Sequence, residues 1–254
     1  MNATLSQMPP LILVAAYTLF WGWESVASAR RNAGFRFRRA RNMALTLVSF
    51  LLGGATGAAL LWLSAYVASR QWGLLPQTHW PDWALCIAGL LILDMTDYWR
   101  HRLSHNLPIL WRLHRVHHTD IAMDVTTTFR NHPIEMALRP LFLAVAVAAF
   151  GVPPLAVLIQ PLLQLPVLVF QHANVKLPPA LDRALSWLIV TPGMHLAHHS
   201  RTEPETNSNY ATWLGLWDTL FLTREHASPA ALGLDGHDTA RHQTLVGMLA
   251  TPWR

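Results

Sequence analysis

The stretch His101–His118 decides the fold of this chain and reads HRLSHNLPILWRLHRVHH, and a shorter stretch, His195–His199, reads HLAHH. Together they contain three boxes of closely spaced histidines: His101/His105, His114/His117/His118 and His195/His198/His199. Residues three and four positions apart share one face of an α-helix, so the histidines of each box can point the same way. Neutral imidazole binds iron, zinc, copper and nickel. Eight histidines at helical spacing therefore predict a metal site rather than unrelated surface or core histidines.

The composition indicates a membrane protein. Of the 254 residues, 52% are hydrophobic and only 13% are charged, whereas soluble domains contain about 25% charged residues. The twelve tryptophans are typical of the aromatic belts at membrane surfaces. Cys86 is the lone cysteine and excludes an internal disulfide. The net charge of +5 raises the possibility of nucleic-acid binding, but the placement of the arginines explains it better.

Three apolar segments precede or reach the first box, at residues 9–29, 43–68 and 82–98, and we expect each to cross the membrane. A cleaved signal peptide is the alternative for the first segment, because Ala27-Ser28-Ala29 resembles a cleavage site. No positive charge precedes its apolar run, which favours a retained helix.

A cluster of arginines separates the first two segments. Its members are Arg30, Arg31, Arg36, Arg38, Arg39 and Arg41. The positive-inside rule predicts a cytoplasmic loop here rather than a nucleic-acid patch. With this loop inside, the third span ends inside and His101–His118 lies at the cytoplasmic membrane surface.

Residues 136–170 are apolar again and are interrupted by Gly151-Val152-Pro153-Pro154. They form either one broken span or a hairpin of two short helices that enters and leaves on the same side. A single span would carry His195–His199 across the membrane, where it could not share a metal site with His101–His118, so the histidine pattern favours the hairpin. The expected fold class is an all-α polytopic membrane bundle of about three spans plus this hairpin, with a cytoplasmic histidine-rich cap.

Two carboxylates, Asp94 and Asp97, lie near the inner end of the third span, where acidic residues are costly unless they face protein or water. They either pair with Arg100 or Arg102 or orient a histidine ligand. Asp218 is a third candidate partner for a ligand imidazole, with a helix cap or a surface carboxylate as its alternative.

Two further histidines flank the hairpin. His172 follows it and is predicted to be a ligand, whereas His132 precedes it and is left open between a ligand and a structural residue. In the tail, His226, His237 and His242 lack ligand spacing.

The order H-x3-H, H-x2-H-H, H-x2-H-H resembles the histidine-box signature of the integral membrane fatty acid hydroxylase and sterol desaturase superfamily. The resemblance extends over about residues 84–225 through further blocks. These are Asp97-Tyr98-Trp99-Arg100-His101-Arg102, His114-Arg115-Val116-His117-His118-Thr119, Arg130-Asn131-His132-Pro133-Ile134-Glu135, His172-Ala173-Asn174, Asn209-Tyr210 and Trp217-Asp218.

The resemblance implies an all-helical membrane enzyme whose histidines hold a di-iron centre on the cytoplasmic side. Members use dioxygen and two external electrons to hydroxylate or desaturate a lipid C–H bond. The implied metal ligands are His101, His105, His114, His117, His118, His172, His195, His198 and His199. The candidates for residues that orient them are Asp94, Asp97, His132, Glu135, Asn174 and Asp218.

The chain departs from the family pattern at two positions. Lys176 stands where some members have a second histidine after His172, so that Asn174 substitutes through water or one coordination position stays open. Leu222 stands where glycine is common.

The resemblance also implies a domain division and partners. Residues 1–81 form an N-terminal transmembrane region with two spans, 82–225 a fatty acid hydroxylase-like catalytic domain, and 226–254 a polar, then amphipathic tail. No haem-attachment, flavin or iron–sulfur motif is present, so electrons must come from a separate reductase, ferredoxin or cytochrome b5-type protein. The Arg30–Arg41 loop either docks an acidic donor or binds anionic lipid headgroups. The Ala- and Arg-rich chain, without eukaryotic retention signals, favours a bacterial inner membrane.

Two other functions compete with a lipid oxygenase. A zinc-dependent membrane hydrolase needs only three or four protein ligands, and no H-E-x-x-H box is present. A non-catalytic metal carrier predicts histidines and carboxylates within the spans near the membrane midplane, whereas here they lie at the ends of the spans.

Overall fold

The computed structural model describes residues 3–30 and 37–254, and within these ranges the chain forms α-helices, short 3-10 turns and no β-strand. The helices are α1 (Ala3–Val26), α2 (Arg38–Ser69), α3 (Asp82–Asn106), α4 (Pro108–His118), α5 (Pro133–Phe150), α6 (Pro154–His172), α7 (Pro179–Leu185), α8 (Pro192–His198), α9 (Leu216–Leu220) and α10 (Leu245–Ala250). The 3-10 turns cover Leu75–Thr78, Val125–Thr127, Glu205–Asn207 and Thr251–Trp253. The all-helical expectation is confirmed for the described residues.

Three of these helices, α2, α5 and α6, are long and apolar enough to cross a membrane. They correspond to the second expected span and to the two halves of the expected hairpin. The first and third expected spans are also helical, as α1 and α3, but neither is as continuously apolar as these three helices. The physical reason for α3 is its charge, because Asp94, Asp97 and Arg100 lie within its last four turns. The chain is thus an integral membrane protein with three candidate spans.

The chain reverses between α5 and α6 at Gly151, whose φ of 69° is left-handed. A side chain here would meet the carbonyl oxygen of Trp72, so glycine is needed for space as well as for conformation. Helix α5 packs mainly against α2 and α3, and α6 mainly against α1 and α3, rather than against each other. The expected hairpin is therefore open, with its first residues and its last residue, His172, beside the histidine boxes.

A buried apolar cluster joins the helices around this reversal. Leu93 of α3 packs with Leu143 and Val147 of α5, with Val152 just before α6 and with Ala156 in the first turn of α6. Burial of such side chains contributes roughly 1.5–3 kcal/mol each in water. A second cluster, around Tyr98, Val167, Val190, Met194 and Tyr210, fastens the segment after α6 to α3. Helix α3 is thus held on both sides, which fixes the first histidine box.

The described members of the arginine cluster, Arg30, Arg38, Arg39 and Arg41, each bond to other groups of the protein. Arg38 is 4% exposed, begins α2 and forms ion pairs with Asp120 and Asp124. Arg39 pairs with Asp124 and Glu24. The expected docking of a donor or of lipid headgroups therefore cannot use Arg38, since a buried charge already paired with carboxylates is unavailable to a partner. Of the other members, Arg31 and Arg36 lie outside the described residues.

The C-terminal segment packs onto α4 through a buried arginine. Arg130 donates to Asn42, to the Val116 carbonyl oxygen at 3.2 Å and to Gln243 at 2.9 Å. Met248 of α10 packs in a small apolar cluster with Val116. The tail thus supports the helix that carries His114 to His118, and the division of the chain at residue 226 stays a prediction.

Candidate metal centre

The nine predicted ligand histidines form two groups, and within each group the ligating atoms lie within 4.8 Å of one another. All of these histidines are buried except His105, which is partly buried. The five-histidine group contains His101, His105, His114, His118 and His198. The four-histidine group contains His117, His172, His195 and His199. The rings of His118 and His199, one from each group, have centroids 4.8 Å apart. The two groups are therefore adjacent halves of one histidine-lined centre.

Each H-x2-H-H box divides between the two groups. In α4, His114 and His118 belong to the five-histidine group and His117 to the other. At α8 the division is reversed: His195 and His199 belong to the four-histidine group, and His198 belongs to the five-histidine group. The i,i+4 pair of each box shares one face, and the remaining histidine is rotated about 100° from its neighbour. The sequence predicted that all three histidines of such a box point the same way, whereas the structure divides them between two groups.

Hydrogen bonds that Nδ1 donates to oxygen atoms orient several of these rings. Nδ1 of His101 lies 2.7 Å from the Tyr210 carbonyl oxygen, that of His172 lies 2.7 Å from the Leu168 carbonyl oxygen, and that of His198 lies 2.6 Å from the Ser208 carbonyl oxygen. Nδ1 of His105 lies 3.2 Å from Oδ1 of Asn207. A carbonyl oxygen only accepts, so Nδ1 carries the proton and Nε2 presents its lone pair.

The Nε2 atoms converge at separations typical of metal ligands. They lie 3.0 Å apart for His101 and His114 and 3.0 Å apart for His172 and His195. The corresponding separation between His195 and His199 is 3.2 Å. Two nitrogens bound to one metal at about 2.1 Å are roughly 3.0–3.4 Å apart in octahedral or tetrahedral geometry.

Two further nitrogens support a metal at this centre. Nε2 of His105 and Nε2 of His198 are buried without a hydrogen-bond partner, although burying an unpaired polar atom is costly. These rings already use Nδ1, so Nε2 of each needs a different partner. A metal ion is the partner that such a donor set fits.

The protonation of the buried imidazoles suits ligation. Burial lowers the pKa of His118, His195 and His199 well below the usual value, and the neighbouring histidines lower it further. Burial also lowers the pKa of His198 to about 3. These imidazoles are therefore neutral at physiological pH, which is the form that binds metal.

Among the expected orienting residues, Glu135 contacts a ring of the centre. Its Oε1 accepts from Nδ1 of His114 at 2.7 Å, and Arg100 lies 3.5 Å from the same oxygen. Asp97 instead forms ion pairs with Arg139 and Arg100, so the structure favours its pairing with arginine. Asp94 accepts from the Trp217 indole at 2.7 Å.

The other candidates lie further from the rings. His132 caps α5 by accepting from the Ile134 amide, and it belongs to neither histidine group. Asn174 bonds the backbone of Arg30. Asp218 accepts a hydrogen bond from the amide of Tyr210 at 2.7 Å. The carbonyl oxygen of Tyr210 in turn accepts from His101, so Asp218 positions the backbone that orients this ring.

Sequence reasoning missed the backbone carbonyls of Leu168, Ser208 and Tyr210. No side-chain pattern identifies a carbonyl, although the Asn209-Tyr210 block marks the segment. Asn209 holds this segment in place, with φ of 51° and a side chain that donates to the carbonyls of Met194 and Glu225.

A membrane-spanning helical bundle with nine converging imidazoles, eight of them buried, defines a class of protein, the membrane proteins with a histidine-lined metal centre. Within this class, the profile of the fatty acid hydroxylase family matches residues 86–223, more than half of the chain. The chain belongs to the fatty acid hydroxylase family.

Several curated relatives are lipid-modifying enzymes by name. The chain is 30% identical over 210 residues to an ornithine lipid hydroxylase of Rhizobium tropici, covering 76% of this chain and 59% of that one. It is 31% identical over 143 residues to an alkylglycerol monooxygenase of Xenopus tropicalis, covering 56% of this chain and 30% of that one. It is 30% identical over 145 residues to a cholesterol 25-hydroxylase-like protein of Danio rerio, covering 56% and 55%. The chain thus spans about 30–59% of the length of these relatives. No solved structure matches it.

Proposed function

We propose that this chain is a membrane-bound oxygenase that uses dioxygen and external electrons to hydroxylate a C–H bond of a lipid. The observation that carries the proposal is the pair of histidine groups, five and four donors, buried side by side. Two metal ions are the stoichiometry that this division favours. The names of the relatives add the lipid substrate, since an ornithine lipid hydroxylase and alkylglycerol monooxygenases are among them.

Iron is the metal that fits the proposed reaction. No protein side chain attacks an unactivated C–H bond by itself, so a bound redox metal with dioxygen must supply that chemistry. Imidazole suits iron as well as zinc, but zinc has no redox chemistry and needs three or four protein ligands. Nine converging histidines exceed what a zinc hydrolase requires, which favours the oxygenase.

The protein residues in this proposal bind and orient. The nine histidines hold the metal ions through Nε2, with Nδ1 of His101, His172 and His198 fixed by carbonyl oxygens. Glu135 fixes His114 and increases its basicity as a ligand, because a carboxylate partner stabilises positive charge on the ring. The burial of both groups keeps bulk water from the oxidant, which limits side reactions.

The location and the electron donor complete the proposal. We assign the histidine centre to the cytoplasmic face of a bacterial inner membrane, because arginines concentrate before α2. A separate reductase, ferredoxin or cytochrome b5-type protein delivers the electrons. Residues 82–225 serve as the catalytic domain.

The test begins with detergent-purified full-length protein expressed in iron-replete medium. Elemental analysis and Mössbauer spectroscopy on isotopically enriched iron measure metal identity and coupling. His117→Ala and His198→Ala each remove one donor from one group, and His226→Ala is the matched control because His226 is exposed and lies outside both groups. We expect coupled iron that both ligand variants lose and the control retains.

Lipid analysis of cells that express the chain then identifies the reaction. Hydroxylation adds one oxygen atom from labelled dioxygen to a lipid, whereas desaturation removes two hydrogen atoms and adds none. Stoichiometric zinc without iron would refute the oxygenase. A lipid product with a new double bond and no labelled oxygen would show that the reaction is desaturation and not hydroxylation.

A further inference from the structure

A row of aromatic side chains connects the five-histidine group with the protein surface. Tyr210 touches the group, with its ring centroid 5.1 Å from that of His105. Tyr98 follows, 6.2 Å from Tyr210 between centroids. Trp99 is 5.6 Å from Tyr98 and is 39% exposed. Tyrosine and tryptophan are the protein side chains that most readily lose one electron, and they occupy every position of this row.

The middle member of the row has a path for its proton. The Tyr98 hydroxyl lies 2.8 Å from Oγ1 of Thr223, and Oγ1 of Thr223 donates to Oδ1 of Asp218 at 2.8 Å. Loss of an electron makes a phenol strongly acidic, so its oxidation needs a proton acceptor within hydrogen-bond reach. Tyr98 is fully buried, and Thr223 with Asp218 supplies that acceptor.

The carboxylate at the end of this path is suited to receive a proton. Asp218 is fully buried, and burial raises its pKa to about 6. It is therefore ionised near neutral pH but is a stronger base than an exposed aspartate. Arg102 completes the surroundings, with its guanidinium 3.4 Å from the Tyr98 hydroxyl and over the Trp99 ring. Arg224 lies near Asp218 and opposes its protonation.

We propose that Tyr98, with Thr223 and Asp218, drains oxidising equivalents from the histidine centre when dioxygen reacts there without a lipid in place. Tyr98 gives one electron, across the ring of Tyr210, to the dioxygen-derived oxidant. Its phenol O–H bond breaks, the proton passes to Oγ1 of Thr223, and the proton of Thr223 passes to Asp218. A one-electron donor of the ascorbate or thiol class then returns one electron through exposed Trp99, and the proton moves back.

This role rests on the proposed function, and it adds a reaction that leaves the lipid unchanged. An oxidant that finds no substrate otherwise attacks its own surroundings, and the imidazoles are the nearest groups. A buried tyrosine with a proton acceptor offers a faster outlet. The row therefore protects the ligands during unproductive turnover.

The test uses full-length, iron-loaded protein, reduced chemically, mixed with dioxygen without lipid and freeze-quenched for electron paramagnetic resonance. Ring-deuterated tyrosine identifies the radical. We expect a tyrosyl signal that Tyr98→Phe abolishes and Tyr66→Phe retains, because Tyr66 packs against Trp62 and Trp72 away from the centre. Thr223→Val should slow formation of the radical by about 10²-fold, the lower bound for a positioned proton acceptor, and Thr223→Ser should restore it.

Peptide mass spectrometry provides a second readout of protection. In Tyr98→Phe, oxidation of the peptides that contain His105 and His198 should increase after repeated exposure to dioxygen, whereas Tyr66→Phe should match the unmodified protein. An equal radical in Tyr98→Phe, or iron-loaded protein that forms no tyrosyl radical, would overturn this inference alone. Protein that binds no iron would overturn the proposed function and this inference with it.

Discussion

Replacement of Glu135 by glutamine should weaken metal binding at the five-histidine group and spare the four-histidine group. Glu135 is 7% exposed and accepts from Nδ1 of His114 at 2.7 Å. Glutamine keeps an oxygen acceptor of the same reach but has no charge. The prediction therefore isolates the contribution of a carboxylate partner to the basicity of one ligand.

The magnitude follows from the hydrogen bond that changes. A hydrogen bond to a charged group contributes about 1.5–3 kcal/mol and a neutral one about 1 kcal/mol. The difference of roughly 1–1.5 kcal/mol corresponds to about tenfold in affinity. Glu135→Ala removes the acceptor altogether and should cost about 10²-fold, at the upper end of the effects known for such partners.

Competition between the protein and a chromophoric chelator measures both affinities on the same sample. The control is Asp235→Asn, since Asp235 is highly exposed and pairs only with Arg201 among the ion pairs of the described residues. Equal weakening of both groups, or unchanged binding in Glu135→Ala, would refute the reasoning that Glu135 acts through His114.

Three further outcomes follow from the geometry. His198→Ala should lower the metal content of the five-histidine group first, whereas His195→Ala should lower that of the four-histidine group first. Spectroscopy of each variant measures the difference. Arg38→Leu leaves the buried Asp120 without its partner at 2.6 Å and should destabilise the fold by about 3–5 kcal/mol, as thermal unfolding in detergent measures. Unfolded chains release the Asp218 proton near pH 3.8 but the folded protein near pH 6, so stability should fall by about 3 kcal/mol as pH rises through this window. Asp218→Asn should lack this contribution to the pH dependence.

Controls keep these outcomes separate from general damage to the fold. His226→Ala should leave metal content unchanged, because His226 belongs to neither group. Arg70→Leu should leave stability nearly unchanged, since Arg70 is exposed at the opposite end of α2. A stability slope in Asp218→Asn equal to that of the unmodified protein would contradict the assignment of the slope to this carboxyl group.

Helical spacing predicts eight of the nine histidines as a site, because side chains three and four residues apart meet wherever the helix packs, and His172 was added from its place after the hairpin. Spacing did not assign His117 and His118 to different groups, since this depends on where α6 and α8 deliver His172 and His195. The sequence also identified only one of the two ion-pair partners of Asp97. Arg100 is close to Asp97 in the sequence and could be predicted. Arg139 lies 42 residues away on α5, and only the packing of α3 against α5 brings it next to Asp97.

The prediction of membrane-spanning helices was likewise accurate for local properties of the sequence and not for tertiary contacts. Apolar length predicted α2 and both arms of the reversal at Gly151, because hydrophobicity over about twenty residues is a local property. The burial of Asp94 and Asp97 in α3 and the buried pairing of Arg38 are products of tertiary contacts. The sequence predicts a cytoplasmic loop at the arginine cluster, and the structure uses Arg38 of this cluster to neutralise Asp120 and Asp124.

The division of each box between two groups has a consequence for how the centre takes up metal. His117 and His118 are joined by a single peptide unit, as are His198 and His199, so ordering one group restrains the backbone of the other. The first ion to bind therefore bears most of the entropic cost of fixing α4 and α8, and the second ion meets donors that are already in position. Metal uptake by the unmodified protein should therefore be positively cooperative, with the second ion bound more tightly than the first.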